Sequence, residues 1–237
     1  MNRNESRPTV SIRGLELSFG NRRVLAFDAL DLDAGTIVLL SGPNGSGKTS
    51  LLKILAGLVK PQHATIACDG SAMSIRAAMA FWRGRHIYLH QQPYLFDTTV
   101  AANIGYGLKL RGQSRVQREL QIQAALEWAE LDHLADRSTR MLSTGERQRV
   151  ALTRAKLLNP SALLVDEIIA NMDAASRARS RELLLELSRA GVTIVIASHE
   201  AGQFDDIADA HLVLEDGRLV SGHAGADIIP IGRRQQS

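Results

Sequence analysis

The sequence predicts an α/β fold, a mostly parallel sheet covered by helices on both faces. Three observations carry this. Apolar runs of strand length, Ile37-Val38-Leu39-Leu40, Leu163-Leu164-Val165 and Ile194-Val195-Ile196-Ala197, lack the alternation of a half-exposed strand and read as strands buried on both faces. Stretches of helical character separate the strand-like segments. A glycine-rich loop, Gly42-Pro43-Asn44-Gly45-Ser46-Gly47-Lys48-Thr49, joins the first run to a helical stretch marked by Leu51, Leu52, Ile54, Leu55 and Leu58. Strand, loop and helix in that order form the context of a phosphate-binding loop, G-x-x-x-x-G-K-T.

Residues 9–19 alternate, with Val10, Ile12, Leu15, Leu17 and Phe19 apolar, and read as an edge strand or an antiparallel β-arm. A turn at Gly20-Asn21 leads to Val24-Leu25 and on to Leu30 and Leu32. Asp33-Ala34-Gly35 turns into the strand at 36–41. Gly57 and Pro61 end the helix that follows the loop. Residues 64–70 form a short strand ending at Asp69-Gly70, residues 71–85 carry no firm pattern, and Ile87-Tyr88-Leu89 is again strand-like. From Val100 to about Asp136 helical composition takes over, interrupted by Gly105, Gly107 and Gly112. Leu120, Ala124, Leu126 and Trp128 mark a helix of roughly three to four turns. Residues 97–142 are thus expected as an α-helical lobe inserted between core segments 9–96 and 143–222, within one domain spanning 1–237. The core resumes as strand 162–166, helix 174–190, strand 192–197, helix 200–209 and a hairpin turning at Asp216-Gly217. Residues 223–237 read as a loosely ordered tail.

The chemistry of the loop is direct. Its glycines let backbone N–H groups converge on a polyphosphate at a helix N-terminus. Lys48 is placed to reach the β- and γ-phosphates, and the Thr49 hydroxyl to ligate Mg²⁺. Leu163-Leu164-Val165-Asp166-Glu167 ends a buried strand in two carboxylates, where ligands of open α/β sheets sit. Asp166 is placed to hold Mg²⁺ directly or through water, and Glu167 to orient and deprotonate an attacking water. Ser143 and Glu146 fit a capping box opening a helix. That helix start is either simply well capped or a second anion site. By themselves Gln91 reads as a surface residue, His199 as a structural strand-end histidine and Phe19 as an ordinary strand aromatic.

Composition narrows the partners. The 237 residues are 45% apolar, enough for a sizeable core without staples, and the single Cys68 excludes an internal disulfide. The net charge is +3 and aromatics are 4%, with no Lys/Arg run interleaved with aromatics, so no nucleic acid is expected. Met1 to Pro8 is polar, and no stretch approaches the roughly 18 apolar residues of a membrane span. A membrane role is therefore expected through a partner.

Taken together, about residues 9–222 resemble the nucleotide-binding subunit of ABC transporters, with its P-loop NTPase core. Gly42-Pro43-Asn44-Gly45-Ser46-Gly47-Lys48-Thr49, continuing into Ser50, matches the phosphate loop. Gln91, in Leu89-His90-Gln91-Gln92-Pro93, matches the loop linking Mg²⁺ to the membrane partner. Leu142-Ser143-Thr144-Gly145-Glu146 matches the family signature, Ala170-Asn171-Met172-Asp173 the loop after the acidic strand, and His199 the switch histidine. Phe19 falls where the family stacks an aromatic, usually Tyr, on adenine. The sequence departs from the family at Thr144, at Ile168-Ile169 and at Asn171-Met172. The resemblance implies ATP and Mg²⁺ as cofactors, a hydrolytic set of Glu167, His199 and Gln91, and metal ligation by Thr49, Gln91 and Asp166. Ser143, Gly145, Glu146 and Asp173 would complete the nucleotide site from the other subunit of a head-to-tail homodimer. It also implies an integral membrane permease and an extracytoplasmic solute-binding protein as partners, at the cytoplasmic face of the cell membrane. The stretch from His90 through Leu108 resembles prokaryotic oxyanion importers of the tungstate or molybdate type. A soluble regulatory ATPase without transport is the alternative.

Overall fold

A computed structural model of the chain describes residues 10–167, 172–199, 201–220 and 229–230. Its contacts divide into two compact units, residues 1–88, 161–167 and 188–237 in one, residues 89–160 and 168–187 in the other.

The first unit holds two sheets. β1 (Val10–Phe19) and β2 (Arg22–Leu32) form a long antiparallel hairpin, and β4 (His63–Cys68) pairs with the other side of β1. β1 is therefore an interior strand, not an edge: its alternation reflects one buried face, on which Ile12, Leu15 and Leu17 are almost fully enclosed. β5 (Ser71–Met73) completes the order β2-β1-β4-β5. The turn between β4 and β5 is Asp69-Gly70, with φ of 53° and 73°, the left-handed pair a tight hairpin requires.

The second sheet contains β3 (Ile37–Ser41), β6 (His86–Leu89), β7 (Ala162–Asp166), β8 (Thr193–Ala197), β9 (Ala210–Glu215) and β10 (Arg218–Val220), in the order β10-β9-β3-β8-β7-β6. A short β11 (Ile229–Pro230) pairs with β9. β3, β7, β8 and β9 run parallel, and every residue of β3, β7 and β8 is buried. Their unbroken apolar runs follow from burial on both faces. α1 (Lys48–Leu55) and α2 (Ile75–Arg83) belong to the same unit, and Leu51, Leu52, Ile54, Ala78, Met79 and Trp82 join its core. α2 lies where the sequence carried no firm pattern. Ser74 caps it through the Ala77 N–H, and its buried residues fall on one face.

Of the helix expected at 200–209, Glu200 lies outside the described residues, and the rest is a 3-10 turn at Ala201–Gln203 followed by further turns. Phe204, Ile207 and Ala208 are buried there at helix-like spacing without a helix.

The second unit contains α3 (Val100–Leu110), α4 (Arg115–Trp128), α5 (Thr144–Lys156) and most of α6 (Ala174–Arg189). Gly105 and Gly107 were expected to interrupt α3 but sit inside it. A Cβ at Gly105 would strike Ile122, and one at Gly107 would strike Leu158, so these glycines permit close packing rather than breaking the helix. Val100, Ile104, Ala125, Leu126, Val150 and Leu183 form this unit's core.

Candidate functional site

β3 delivers the chain into the glycine-rich loop, and α1 begins at Lys48. Gly47 stands at the N-cap with φ of 110° and no side chain caps the helix, so its first N–H groups face outward for an anion. Gly42 has φ of 141°, and a Cβ there would overlap the Leu214 carbonyl. A Cβ at Gly47 would meet Leu25 and the Val24 carbonyl. Both positions thus need glycine for conformation and for space. Ser46 Oγ is buried without a hydrogen-bond partner, an orphaned polar atom inside the loop. Lys48 is 7% exposed and its Nζ donates to the carbonyls of Gly42 (2.7 Å) and Pro43 (3.0 Å). Burial lowers the Lys48 pKa from the usual lysine value, against the opposing fields of Glu167 and Asp166.

The hairpin turn Asp216-Gly217, legible in sequence only as a turn, supports the loop. The Gly217 N–H donates to Ser46 O (3.1 Å), and Gly217 O accepts from the Ala26 N–H (2.8 Å). A Cβ at Gly217 would strike the Val24 carbonyl. β2, the loop and the β9–β10 turn are thereby tied at one residue.

A cavity of about 310 Å³ opens beside the loop. Phe19, Arg22 and Val24 of the β1–β2 hairpin wall it, together with Lys48, Thr49 and Glu167. Asn44, Gly45, Gly47 and Ser50 line it as well. Phe19 is 57% exposed, so its ring is available to a ligand. Arg22, its partner across the hairpin, carried no signal in the sequence beyond its proximity to Phe19.

At the carboxyl ends of β7 and β8 the acidic groups meet the loop. Thr49 Oγ1 donates to Asp166 Oδ2 (2.8 Å), and Tyr88 Oη donates to the same oxygen (2.7 Å). Burial, the hydrogen bond to Asp166 and its charge all push the Tyr88 phenol well above its ordinary pKa, so it remains a donor. Glu167 adopts φ of 51°, a strained value for a residue with a Cβ, held in part by its N–H donating to Ala197 O (3.0 Å). His199 Nδ1 lies 3.1 Å from Glu167 Oε1. Thr49 and Asp166 offer hard oxygen donors next to a phosphate cradle, which suits Mg²⁺ held by one or two protein groups plus phosphate oxygens and water. The described residues contain no cluster of three or more His, Cys, Asp or Glu able to cage a metal alone.

The second unit carries the remaining expected residues. Gln91 follows β6, and its carbonyl accepts from Gln148 Nε2 (2.6 Å). Ser143 caps α5 in a complete capping box: Ser143 Oγ accepts from the Glu146 N–H (3.2 Å), and Glu146 Oε2 accepts from the Ser143 N–H (2.7 Å). Ser143 and Thr144 are exposed. Gly145 packs against Ser176, where a Cβ would overlap the serine side chain. Asp173 accepts the Ser176 N–H at the start of α6 (2.8 Å), and that bond lowers its carboxyl pKa. Ile168, Ile169, Ala170 and Asn171 lie outside the described residues.

Comparison with known proteins gives this arrangement a lineage. The family model described as ABC transporter matches residues 16–170. The chain is 36% identical over 214 residues to the Fe(3+) ions import ATP-binding protein FbpC of Photorhabdus laumondii, covering 89% of this chain and 60% of that protein. It is 36% identical over 217 residues to the sulfate/thiosulfate import ATP-binding protein CysA of Caulobacter vibrioides, covering 89% of this chain and 63% of that protein. The chain thus spans about three-fifths of the length of these curated relatives. Its fold is similar to that of cbiO1 from Clostridium perfringens, part of the ABC transporter complex cbiONQ, with a TM-score of 0.82 at 24% identity over 90% of this chain and 86% of that one. With a family match over most of the chain and relatives above one-third identity across nearly nine-tenths of it, the chain belongs to the ABC transporter family.

Proposed function

We propose that this chain is the ATP-hydrolysing motor subunit of an importer, acting as a head-to-tail homodimer beneath an integral membrane permease. The observation that carries the reading is the contrast between two helix N-termini. α1 starts uncapped beside Lys48, the Thr49–Asp166 pair and the Glu167–His199 pair. α5 starts with an exposed, fully capped Ser143 that belongs to no phosphate loop of its own. An anion held by α1 of one copy would suit α5 of another.

Each residue then has a defined task. Phe19 stacks on adenine. The backbone from Gly42 to Ser50 and the Lys48 ammonium cradle the phosphates. Thr49 and Asp166, with Gln91 as the family resemblance implies, would hold Mg²⁺, which would offset charge on the phosphate oxygens. Glu167 orients the attacking water and takes its proton, and His199 fixes the Glu167 carboxylate. Ser143, Gly145, Glu146 and Asp173 of the other copy close over the γ-phosphate. Closure in the presence of ATP, and release after hydrolysis, would drive the permease.

Glu167→Gln tests this. An amide keeps the size and hydrogen bonding of the carboxylate but accepts no proton. The variant should bind ATP, hydrolyse it roughly 10²–10⁴-fold more slowly, and sediment as an ATP-dependent dimer. Adding Ser143→Arg should dissolve that dimer by filling the anion site. A Glu167→Gln chain that stays monomeric with ATP bound would overturn the interface.

For the cargo, the resemblance at His90 to Leu108 favours a tungstate or molybdate type of oxyanion, delivered by an extracytoplasmic solute-binding protein. The relatives named for ferric ion and for sulfate or thiosulfate import are consistent with a small inorganic ion. Competitive uptake of molybdate, sulfate and ferric ion by cells carrying the chain with its co-purified permease would decide among them.

A further inference from the structure

We infer that Tyr88 is a positioning residue of the metal site, holding Asp166 and, through it, Thr49 in the arrangement that Mg²⁺ requires; this rests on the nucleotide site proposed above. Tyr88 stands on β6, the strand beside β7, and Asp166 ends β7. Its hydroxyl donates to Asp166 Oδ2 at 2.7 Å, and the Thr49 hydroxyl donates to the same oxygen at 2.8 Å. One carboxylate oxygen thus accepts two hydroxyl protons from two different elements, a strand and the helix after the phosphate loop.

The consequence is geometric. A carboxylate oxygen has two lone pairs, and these two donors occupy both on Oδ2, so metal-directed work falls to Oδ1. Because the Thr49 proton is committed to Asp166, the Thr49 oxygen keeps its lone pairs for a cation. The chain Tyr88–Asp166–Thr49 therefore orients both expected metal-facing groups at once. The Tyr88 ring is packed against the first unit's core, which includes Leu55, Trp82 and Leu164, so the donor is held by packing and does not depend on the ligand. Asp166 is itself only 8% exposed, leaving water little access to replace a lost donor. Outer partners of this kind tune metal affinity by orienting the groups that touch the ion.

Tyr88→Phe removes the hydroxyl and keeps the ring. The test uses the full chain with a non-hydrolysable ATP analogue. Calorimetry is run in EDTA and across a Mg²⁺ titration, and Mn²⁺ with the same analogue is followed by electron paramagnetic resonance. The expected result is unchanged analogue affinity in EDTA, a half-saturating metal concentration raised about tenfold, and an altered Mn²⁺ spectrum. In an Asp166→Asn background the same substitution should add no further shift in metal requirement, because the two residues act in series. Equal metal half-saturation in wild type and Tyr88→Phe would overturn the inference. So would equal weakening with and without metal, which would mark Tyr88 as packing only, or a full additional shift in the Asp166→Asn background. A wild-type chain whose analogue binding ignores metal would overturn both this inference and the metal site proposed above.

Discussion

Lys48, proposed above to reach phosphate, has a second task that the structure shows. Its ammonium donates to the carbonyls of Gly42 and Pro43. Lys48→Ala should abolish ATP binding by calorimetry and also lower stability by about 1–2 kcal/mol, because two hydrogen bonds from a charged donor are lost. Unchanged ATP affinity would mean the loop does not bind phosphate. A second residue, His86, gives a pH signature. It is buried, its ring stacks on Trp82 with centroids 5.8 Å apart, and its Nδ1 lies 2.6 Å from the Leu55 carbonyl. Burial, reinforced by Arg85, lowers its pKa from the ordinary 6.5 despite that carbonyl. The unfolded chain therefore binds more protons than the folded one between the folded pKa and 6.5, and stability rises with pH through that window. The contribution is complete above 6.5 and is lost as the pH falls through the folded value. Thermal melts of wild type and His86→Gln should differ most near neutrality and converge toward acid; a gap that does not narrow as the pH falls would show that His86 is not buried as a neutral ring. Little of this was legible in sequence. Lys48 announces itself by motif, whereas His86 and Tyr88 acquire their roles only from partners more than thirty residues away, Leu55 and Asp166.

Among the elements, two Asp-Gly hairpins make a matched pair. Gly70 and Gly217 have nearly equal φ, 73° and 78°, in turns of the same sequence. A Cβ at Gly70 would meet nothing within 4 Å, while one at Gly217 would strike the Val24 carbonyl. Gly70→Ala should therefore cost only left-handed strain, about 1–2 kcal/mol, and leave ATP affinity intact. Gly217→Ala should cost more and weaken ATP binding, because its N–H supports Ser46 in the phosphate loop. Equal ATP affinity for the two variants would show that the β9–β10 turn is no buttress. The sequence marks Asp69-Gly70 only as a strand end and Asp216-Gly217 as a hairpin turn, and neither reading carries the support of Ser46, because turn chemistry is local and that support is not. The same division explains the other elements. β3, β7 and β8 are plain in the sequence because burial on both faces confines polar residues to their ends, Ser41, Asp166 and Thr193. α2 is hard to read because it is short, nine residues, with Ala78, Met79 and Trp82 buried and Ile75 and Phe81 partly packed against the core. The helix expected at 200–209 failed because Phe204, Ile207 and Ala208 reach the core from turns.

At the scale of the whole molecule, the prediction concerns membrane attachment. No helix among the described residues is long and apolar enough to cross a bilayer. The second unit nevertheless carries an ordered aromatic surface. Tyr94 is 73% exposed and meets Phe96 edge-on at 5.5 Å, and Phe96 lies 4.3 Å from Tyr106, which is 41% exposed. Arg154 fixes the group, donating to Tyr94 O (2.9 Å) and lying over the Phe96 ring. Exposed aromatics held rigid lose little entropy on docking, which suits them as anchors for a protein partner. This surface lies in the segment after Gln91, where the family resemblance puts the contact with the permease. The chain should then pellet with membranes only when the permease is co-expressed. The double substitution Tyr94→Ala and Tyr106→Ala should release it while leaving ATP binding in the first unit unchanged. Retention of that variant on permease-containing membranes would place the docking surface elsewhere. Salt-resistant binding of the wild-type chain to protein-free vesicles would instead show that it contacts lipid directly.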